Sequence, residues 1–481
     1  MFVALAVIRV SATAARSIAA TSLSAGQQSA AYFATLSAQG GTNPDRWRSF
    51  GYTLSPIVIT LESPLAFGRI SDAYFGMHIH NLAAGNWTPS GELTPFPPFS
   101  FSTFRLWDVT PWAEIESSQG SFDWTKLDGT INTATANGVS DFVFTFGNVP
   151  QWASSNPGGS CKGASAGTCF PPARLTDFDN FATRLVQRYC GVIKYYETWN
   201  EPSIPDFWAG TNAQLLTLTQ HLYGIVKDPA NCGCTDNVCS PGGGVSPNKV
   251  LLPPINTPTQ AYAQQWLLNW LAFVGNPYPY ADIATFHGYG YETDPEDIYQ
   301  GTRFMRKTLR QYGLANVELW NTEASWGEND SVLDSQELQA SWLMRYHIVQ
   351  AVTGVSRFMW YAYDDCGWGT LWGPSCGTPP DSFRGVRAAG TAYGVVENWL
   401  IGAKLEYCEG HADGTWACRL TRPDGYVGWI VWNNKGTPVT VPVPRGWGLI
   451  HYRDWQDNEY TLGVKIEITQ MPILLENKSA F

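Results

Sequence analysis

Two glutamates, Glu201 and Glu323, stand where side chains can do chemistry. Each closes a run of apolar, aromatic and β-branched residues: Ile193-Lys194-Tyr195-Tyr196-Glu197-Thr198-Trp199-Asn200-Glu201-Pro202, and Leu319-Trp320-Asn321-Thr322-Glu323-Ala324-Ser325-Trp326. Such runs read as buried strands that deliver a carboxyl group at the C-terminal tip. Two carboxyls about 5–5.5 Å apart can cleave a glycosidic bond with retention, one protonating the departing oxygen and the other attacking the anomeric carbon. The two roles need different proton affinities. One acid must hold a proton near neutral pH and the other must be ionised; burial against Trp199 would raise Glu201, and nearby hydrogen-bond donors would keep Glu323 charged. A single glutamate at a strand end is usually just solvated; the repeated pattern is what makes the pair a candidate site.

Acids so far apart in sequence meet only if the fold gathers strand tips, as a closed barrel does. From residue 73 the chain alternates strand, loop and helix. Strands are expected at 74–80, 102–107, 142–146, 193–201, 250–252, 283–287, 317–323 and 357–363, with helices near 125–137 and 177–189. This α/β pattern predicts a (β/α)8 TIM barrel over 70–392. After residue 393 short alternating segments separated by turns such as Pro423-Asp424-Gly425 predict a C-terminal antiparallel β-sandwich. A β-branched strand at 56–61 comes too early for the barrel rhythm. It is expected to join the sandwich, giving an accessory domain of 50–66 plus 393–481. Its role reads as structural, with Trp429, Trp432 and Trp455 as an alternative sugar-binding face.

A chain of 481 residues suits a large domain with a smaller one. Aromatic residues reach 14%, including 22 Trp and 22 Tyr, a bias that mildly favours stacking on sugars. The formal charge of −11, with no basic cluster, argues against a nucleic-acid partner. Residues 1–48 read as a signal-like segment and a disordered linker, implying a secreted or extracytoplasmic protein. No other apolar run approaches membrane-spanning length, so no membrane partner is expected. Ten cysteines in short-range groups suggest disulfides in an oxidising compartment, with connectivity open. A zinc knot at Cys232, Cys234 and Cys239 has poor spacing. His78 and His80 share a strand face, but no further ligands complete a metal site. No metal or cofactor is expected, His80 could touch substrate, and Glu197 reads as part of a buried network. Oligomeric state is not legible.

The tetrapeptide Trp199-Asn200-Glu201-Pro202 resembles the fourth-strand signature of the clan A glycoside hydrolases, retaining enzymes built on (β/α)8 barrels. The motif ending in Glu323 is similar to the strand-seven motif of that clan. The resemblance implies that Glu201 is the acid/base and Glu323 the nucleophile. It further implies that Arg105, in Phe104-Arg105-Leu106-Trp107, holds the nucleophile. His287 and Tyr289, in His287-Gly288-Tyr289, resemble a pair in which the tyrosine bonds the nucleophile and the histidine contacts substrate. Asn200 matches the residue that bonds the sugar 2-hydroxyl, and Trp360 the platform beneath the reacting sugar. Plainer roles remain open: an ion-pair partner for Arg105, packed polar side chains for His287 and Tyr289, barrel core for Trp360.

The resemblance covers about 70–392, and with the added sandwich it is nearest to glycoside hydrolase family 39, the β-xylosidase group, among families 39, 51 and 30. It implies a carbohydrate substrate, a plant or microbial polysaccharide or oligosaccharide with β-linked O-glycosidic bonds. Loop 81–100 and the cysteine-bearing inserts match no pattern. Trp152, Trp208, Trp326, Trp368 and Trp372 lie in or near upper loops and could be sugar platforms. The rival reading is a non-catalytic carbohydrate-binding protein on the same barrel; it predicts loss of one acid, and both are present.

Overall fold

The structure, a computed structural model, describes residues 57–60, 68–82 and 93–479, apart from 163, 236–237, 277, 291–293, 328–332, 334, 374–381 and 444–445. The expected leader and linker over 1–48 lie outside the described residues, as does Cys376. The chain divides into two compact units, the second beginning at Ala403 and including the early strand Ile57–Thr60.

The first unit is built on eight parallel strands: Phe75–Met77, Thr103–Arg105, Asp141–Thr145, Ile193–Glu197, Lys249–Leu251, Ile283–His287, Glu318–Ala324 and Arg357–Trp360. Each pairs with the next, and the eighth pairs with the first, so the barrel is closed. All eight fall where expected. The fifth is interrupted at Pro253-Pro254, which offer no N–H to a ladder. It resumes as Ile255–Asn256, opposite Phe286 and His287 of the sixth strand. Helices cover the connections, among them Leu175–Arg188, Asn212–Lys227, Gln336–Val352 and Ala388–Leu400. Asn212–Lys227 starts at a reciprocal cap in which Thr211 and Gln214 satisfy each other's backbone N–H groups.

Strand alternation sorts the barrel interior into layers. Val143, Tyr195, Leu251, Ile283, Trp320 and Met359 form an apolar plug. Gly76 leaves the room this plug needs, since a Cβ there would lie 2.6 Å from Met359 Cγ. Toward the strand N-termini, Arg357 closes the plug. Its guanidinium lies 4.4 Å from the Trp320 ring centroid and 4.9 Å from that of Tyr195, and donates to Asp141 at 2.6 Å and Thr103 at 2.7 Å. Two residues further along the strands, past the plug, the interior positions turn polar: Arg105, Thr145, Glu197 and Thr322. The plug is therefore the floor of whatever chemistry the upper layer performs.

The barrel runs further than expected. Helix Ala388–Leu400 passes the predicted boundary at 392 and buries Ala389, Ala392, Val395, Val396, Trp399 and Leu400. Gly390 and Gly394 inside it blur the helical period in the sequence.

The second unit has a seven-stranded antiparallel sheet, in the order Ile57–Thr60, Lys404–Gly410, Thr415–Thr421, Val427–Asn433, Ile473–Glu476, His451–Arg453, Glu459–Thr461. The early strand pairs as expected, Ile57 opposite Gly410. A two-stranded ribbon, Val439–Pro442 with Lys465–Ile468, packs Val441, Ile466 and Ile468 against Ala417, Trp429, Val431 and Leu475 of the sheet. Trp429 and Trp432 are buried and so serve the core. The sequence reading misses Glu459–Thr461, whose residues are all exposed and show no apolar alternation.

Disulfides join Cys161 to Cys169, Cys190 to Cys232, Cys234 to Cys239 and Cys408 to Cys418. Cys232, Cys234 and Cys239 are thus all engaged, which removes the zinc knot. Cys366 is also disulfide-bonded. Among the described residues no helix is long and apolar enough to cross a membrane.

Candidate active site

Arg105, on the second strand, is the hub of the upper layer. It has no solvent exposure, and its donors are divided among three acceptors. Nη1 donates to Glu323 Oε2 at 2.7 Å, Nη2 to Asn200 Oδ1 at 2.8 Å, and Nε and Nη2 to Glu197 Oε2 at 2.9 and 2.5 Å. Glu197 also accepts from Thr145 at 2.8 Å and Thr322 at 2.9 Å. This buried carboxylate fixes the arginine, and the arginine fixes Glu323. Tyr289 donates to the other oxygen of Glu323 at 2.7 Å.

Regular alternation from inward-facing Trp320 would point Thr322 into the barrel and Glu323 out. The register between the sixth and seventh strands shifts at this point, pairing Phe286 with Asn321 but His287 with Glu323. That bulge adds one residue and lets both Thr322 and Glu323 reach the interior network. Glu201 comes from a different device. The chain leaves the fourth strand after Glu197, and Glu201 sits at φ 38°, the left-handed region that non-glycine residues seldom occupy. Strain of this kind costs about 1–3 kcal/mol and collects at functional sites. The turn is held by Ile204 N–H on the Glu201 carbonyl at 3.1 Å and by the Trp199 indole N–H on the Phe207 carbonyl at 2.8 Å.

These devices bring the two predicted acids together. His287 Nδ1 lies 2.6 Å from Glu201 Oε1 and 3.6 Å from Glu323 Oε2. One ligand-type atom from each of Glu201, His287 and Glu323 falls within 4.8 Å of the others. Such a trio could also hold a divalent ion, but the Arg105 guanidinium already supplies the positive charge at Glu323.

The electrostatics separate the acids. Burial, then the Glu323 charge, hold the Glu201 carboxyl well above the usual carboxylate range. Burial also raises Glu323, but Arg105, His78 and the Tyr289 hydrogen bond oppose it, so Glu323 ionises first. Burial, Arg105 and His78 keep His287 well below its usual value. A neutral imidazole leaves Glu201 as the proton donor of the trio.

This predicts a pH-dependent cost. Below about pH 4, Glu201 is protonated in both folded and unfolded chains and makes no difference. As pH rises toward its raised folded value, the unfolded chain releases the proton and the folded one does not, so native stability falls. Glu201→Gln escapes this, and its melting temperature is expected to exceed the parent's by a few degrees at pH 7, with the gap closing near pH 4. Differential scanning calorimetry across that range checks it; a gap independent of pH would contradict the raised carboxyl.

Other expected residues divide. Trp360 has no accessible surface: its indole N–H donates to the Gly369 carbonyl at 2.7 Å, and its ring packs against Trp326, Tyr346 and His347. It lies beneath the site with no open face. Trp326 and Trp208 are likewise buried, and the Trp152 N–H is tied to the Glu116 carbonyl at 2.7 Å. Trp368 is partly exposed and lies edge-on to Tyr289, 5.2 Å between centroids. His78 bridges Asp108, at 2.9 Å from Nδ1, and the Thr322 carbonyl, at 2.9 Å from Nε2, so both ring nitrogens are engaged within the protein. Sequence reasoning passed over Asp108, Thr145 and Thr322. Asp108 lies in a loop without periodicity; the threonines carry no charge, and only their parity with Arg105 and Glu197 along the strands marks them.

No family model and no curated protein matches this sequence. Solved structures do match. A family 39 glycoside hydrolase from the gut symbiont Bacteroides cellulosilyticus WH2 superposes with a TM-score of 0.58 at 16% identity, over 78% of this chain and 75% of the other. A GH39 β-xylosidase from Caulobacter crescentus gives 0.54 at 18% identity, over 86% and 98%. A glucosidase from Croceicoccus marinus gives 0.54 at 14% identity, over 87% and 98%. The likeness at these identities is one of fold.

Proposed function

We propose that the protein is a retaining glycoside hydrolase, with Glu201 as acid/base and Glu323 as nucleophile, acting on β-linked plant or microbial polysaccharide or oligosaccharide. The observation that carries this reading is the close approach of two carboxyls, within 4.8 Å through atoms that share His287, at the C-terminal mouth of a closed barrel. Inverting enzymes need a gap of about 6.5–9.5 Å to admit a water, whereas direct attack needs about 5–5.5 Å. The structural neighbours, described as a xylosidase, a glucosidase and a family 39 hydrolase, support the same chemistry.

In the first step Glu323 attacks the anomeric carbon as the bond to the leaving oxygen breaks, and that oxygen takes the proton of Glu201. Arg105 and Tyr289 hold the attacking carboxylate in place. Asn200, turned by Arg105, is placed to bond the 2-hydroxyl as positive charge develops on the ring. In the second step Glu201, now ionised, removes a proton from water. The water oxygen bonds the anomeric carbon, and Glu323 leaves as carboxylate. The antiparallel unit is read as an accessory sandwich. The disulfides support an oxidising, extracytoplasmic location.

The test is to incubate the protein with plant and microbial polysaccharides and aryl β-glycosides, following the first-formed anomer by proton NMR and sizing the products. The β-anomer is expected first. An α-anomer would sink retention, and tight binding without cleavage would favour the binding-protein reading. Monosaccharide products would mean exo action, oligosaccharides endo action.

A further inference from the structure

Among the described residues a cavity lies beside the groups that the hydrolytic steps use. About 390 Å³ opens at the tips of the first, second, third and eighth strands, lined chiefly by His80, Trp107, Asp108, Glu114, Asn148 and Tyr361. It adjoins the nucleophile through His78, which joins Asp108 to the carbonyl of Thr322. Trp107 reaches the cavity by packing over Gly147, where a Cβ would fall 2.8 Å from the indole.

Polar groups in this cavity are set but not spent. His80 lies between two carboxylates and hydrogen-bonds neither. Its Nε2 is 3.6 Å from Asp108 Oδ2, and its Nδ1 is 3.7 Å from Asp365 Oδ2, both beyond hydrogen-bond range. Nε2 is buried without a hydrogen-bond partner. Asp108 accepts from His78 at 2.9 Å and from the Tyr361 hydroxyl at 3.2 Å. A carboxylate offers about four acceptor positions, so Asp108 keeps capacity for a ligand. A hydroxyl beside either gap can accept from a ring N–H and donate to the carboxylate, and with the imidazole protonated two adjacent hydroxyls can do so at once.

The charge balance limits the occupant. Burial acts to raise Asp108, but His80, His78 and Arg105 prevail and hold it at about 2. Glu114, half exposed, lies 3.6 Å from Lys126. Asp364 accepts the backbone N–H groups of His80 and Asn81, and Asp365 flanks His80. Burial works against a charged imidazole, but Asp108, Asp364, Asp365 and Glu323 raise His80 above its usual value. These carboxylates still outnumber that one positive charge, so an added anion would meet net negative charge.

We propose that His80, Asp108 and Glu114 select the sugar transferred to Glu323, binding an uncharged pyranose through adjacent hydroxyls and turning away a uronic acid. The hydrolase reading enters only in naming the occupant as the glycone. Binding itself needs no turnover.

Saturation-transfer NMR titrations of the full chain with methyl β-xyloside, β-glucoside, β-galactoside and β-glucuronide test this. At least one neutral glycoside is expected to bind at least about tenfold more tightly than the glucuronide, and His80→Ala to weaken the neutral ligand at least about tenfold. Glu114→Gln, at a half-exposed position, is expected to fold as the parent does and to narrow the gap between neutral and acidic ligands severalfold. Glucuronide bound as tightly as the best neutral glycoside, or neutral binding unchanged in a folded His80→Ala, would overturn the proposal. A protein that binds neutral glycosides through His80 and cleaves none would sink the hydrolase reading and leave this one standing.

Discussion

Glu323→Ala is expected to lower kcat for glycoside hydrolysis by about 10⁴-fold or more, because on the proposed mechanism it removes the atom that forms the covalent bond. The cavity it leaves, bounded by Arg105 and Tyr289, can admit a small anion. Azide is expected to restore turnover there and to give a product glycosyl azide of inverted, α configuration, since only one displacement then occurs. Glu201→Ala is expected to cost less, about 10²–10⁴-fold, and least for 4-nitrophenyl glycosides, whose leaving group departs without a proton. Its azide product is expected to keep the β configuration. Steady-state kinetics with product NMR separate the two variants. Matching azide anomers from both would refute the assignment of roles.

Arg105→Met is expected to destabilise the barrel by about 3–5 kcal/mol, since it leaves the Glu197 and Glu323 carboxyls buried without the guanidinium that joins them. Urea unfolding of the single variant and of Arg105→Met with Glu197→Gln measures the coupling. The double variant is expected to recover part of the loss, because a neutral amide is far less costly to bury. It is not expected to recover activity, because Glu323 and Asn200 still lack their donor. Arg105→Lys keeps the charge, but an ammonium cannot reach three acceptors in the geometry of a planar fork. It is expected to fold and to lose about 10–100-fold in kcat, with KM little changed. A double variant no more stable than the single would show that Glu197 and Arg105 are not coupled.

The cost of this site appears in its backbone as well as its charges. Glu201 in the left-handed region, the extra residue at Thr322, and the packed ionisable trio of Glu201, His287 and Glu323 all work against stability. The apolar plug beneath and the Arg357 clamp below it supply the rigid floor that such a site requires.

Local residue pattern was enough to locate the eight strands, the two terminal glutamates and the early strand that joins the second sheet, because buried strands leave continuous apolar runs and their ends are marked by polar residues and proline. It was also enough to pair a tip acid on the fourth strand with one on the seventh. It misplaced the end of the barrel, where glycines interrupt the last helix, and it missed an exposed strand with no apolar alternation. Tertiary structure alone decided which side chains face one another. Parity along the seventh strand points Glu323 outward, and only a register shift against the sixth strand turns it inward. Glu197 and Arg105 belong to different strands, and their contact depends on barrel closure. The proton affinities of Glu201, Glu323 and His287 likewise depend on burial and on charges brought from the first, second, fourth, sixth and seventh strands, a sum over space that one-dimensional spacing does not contain.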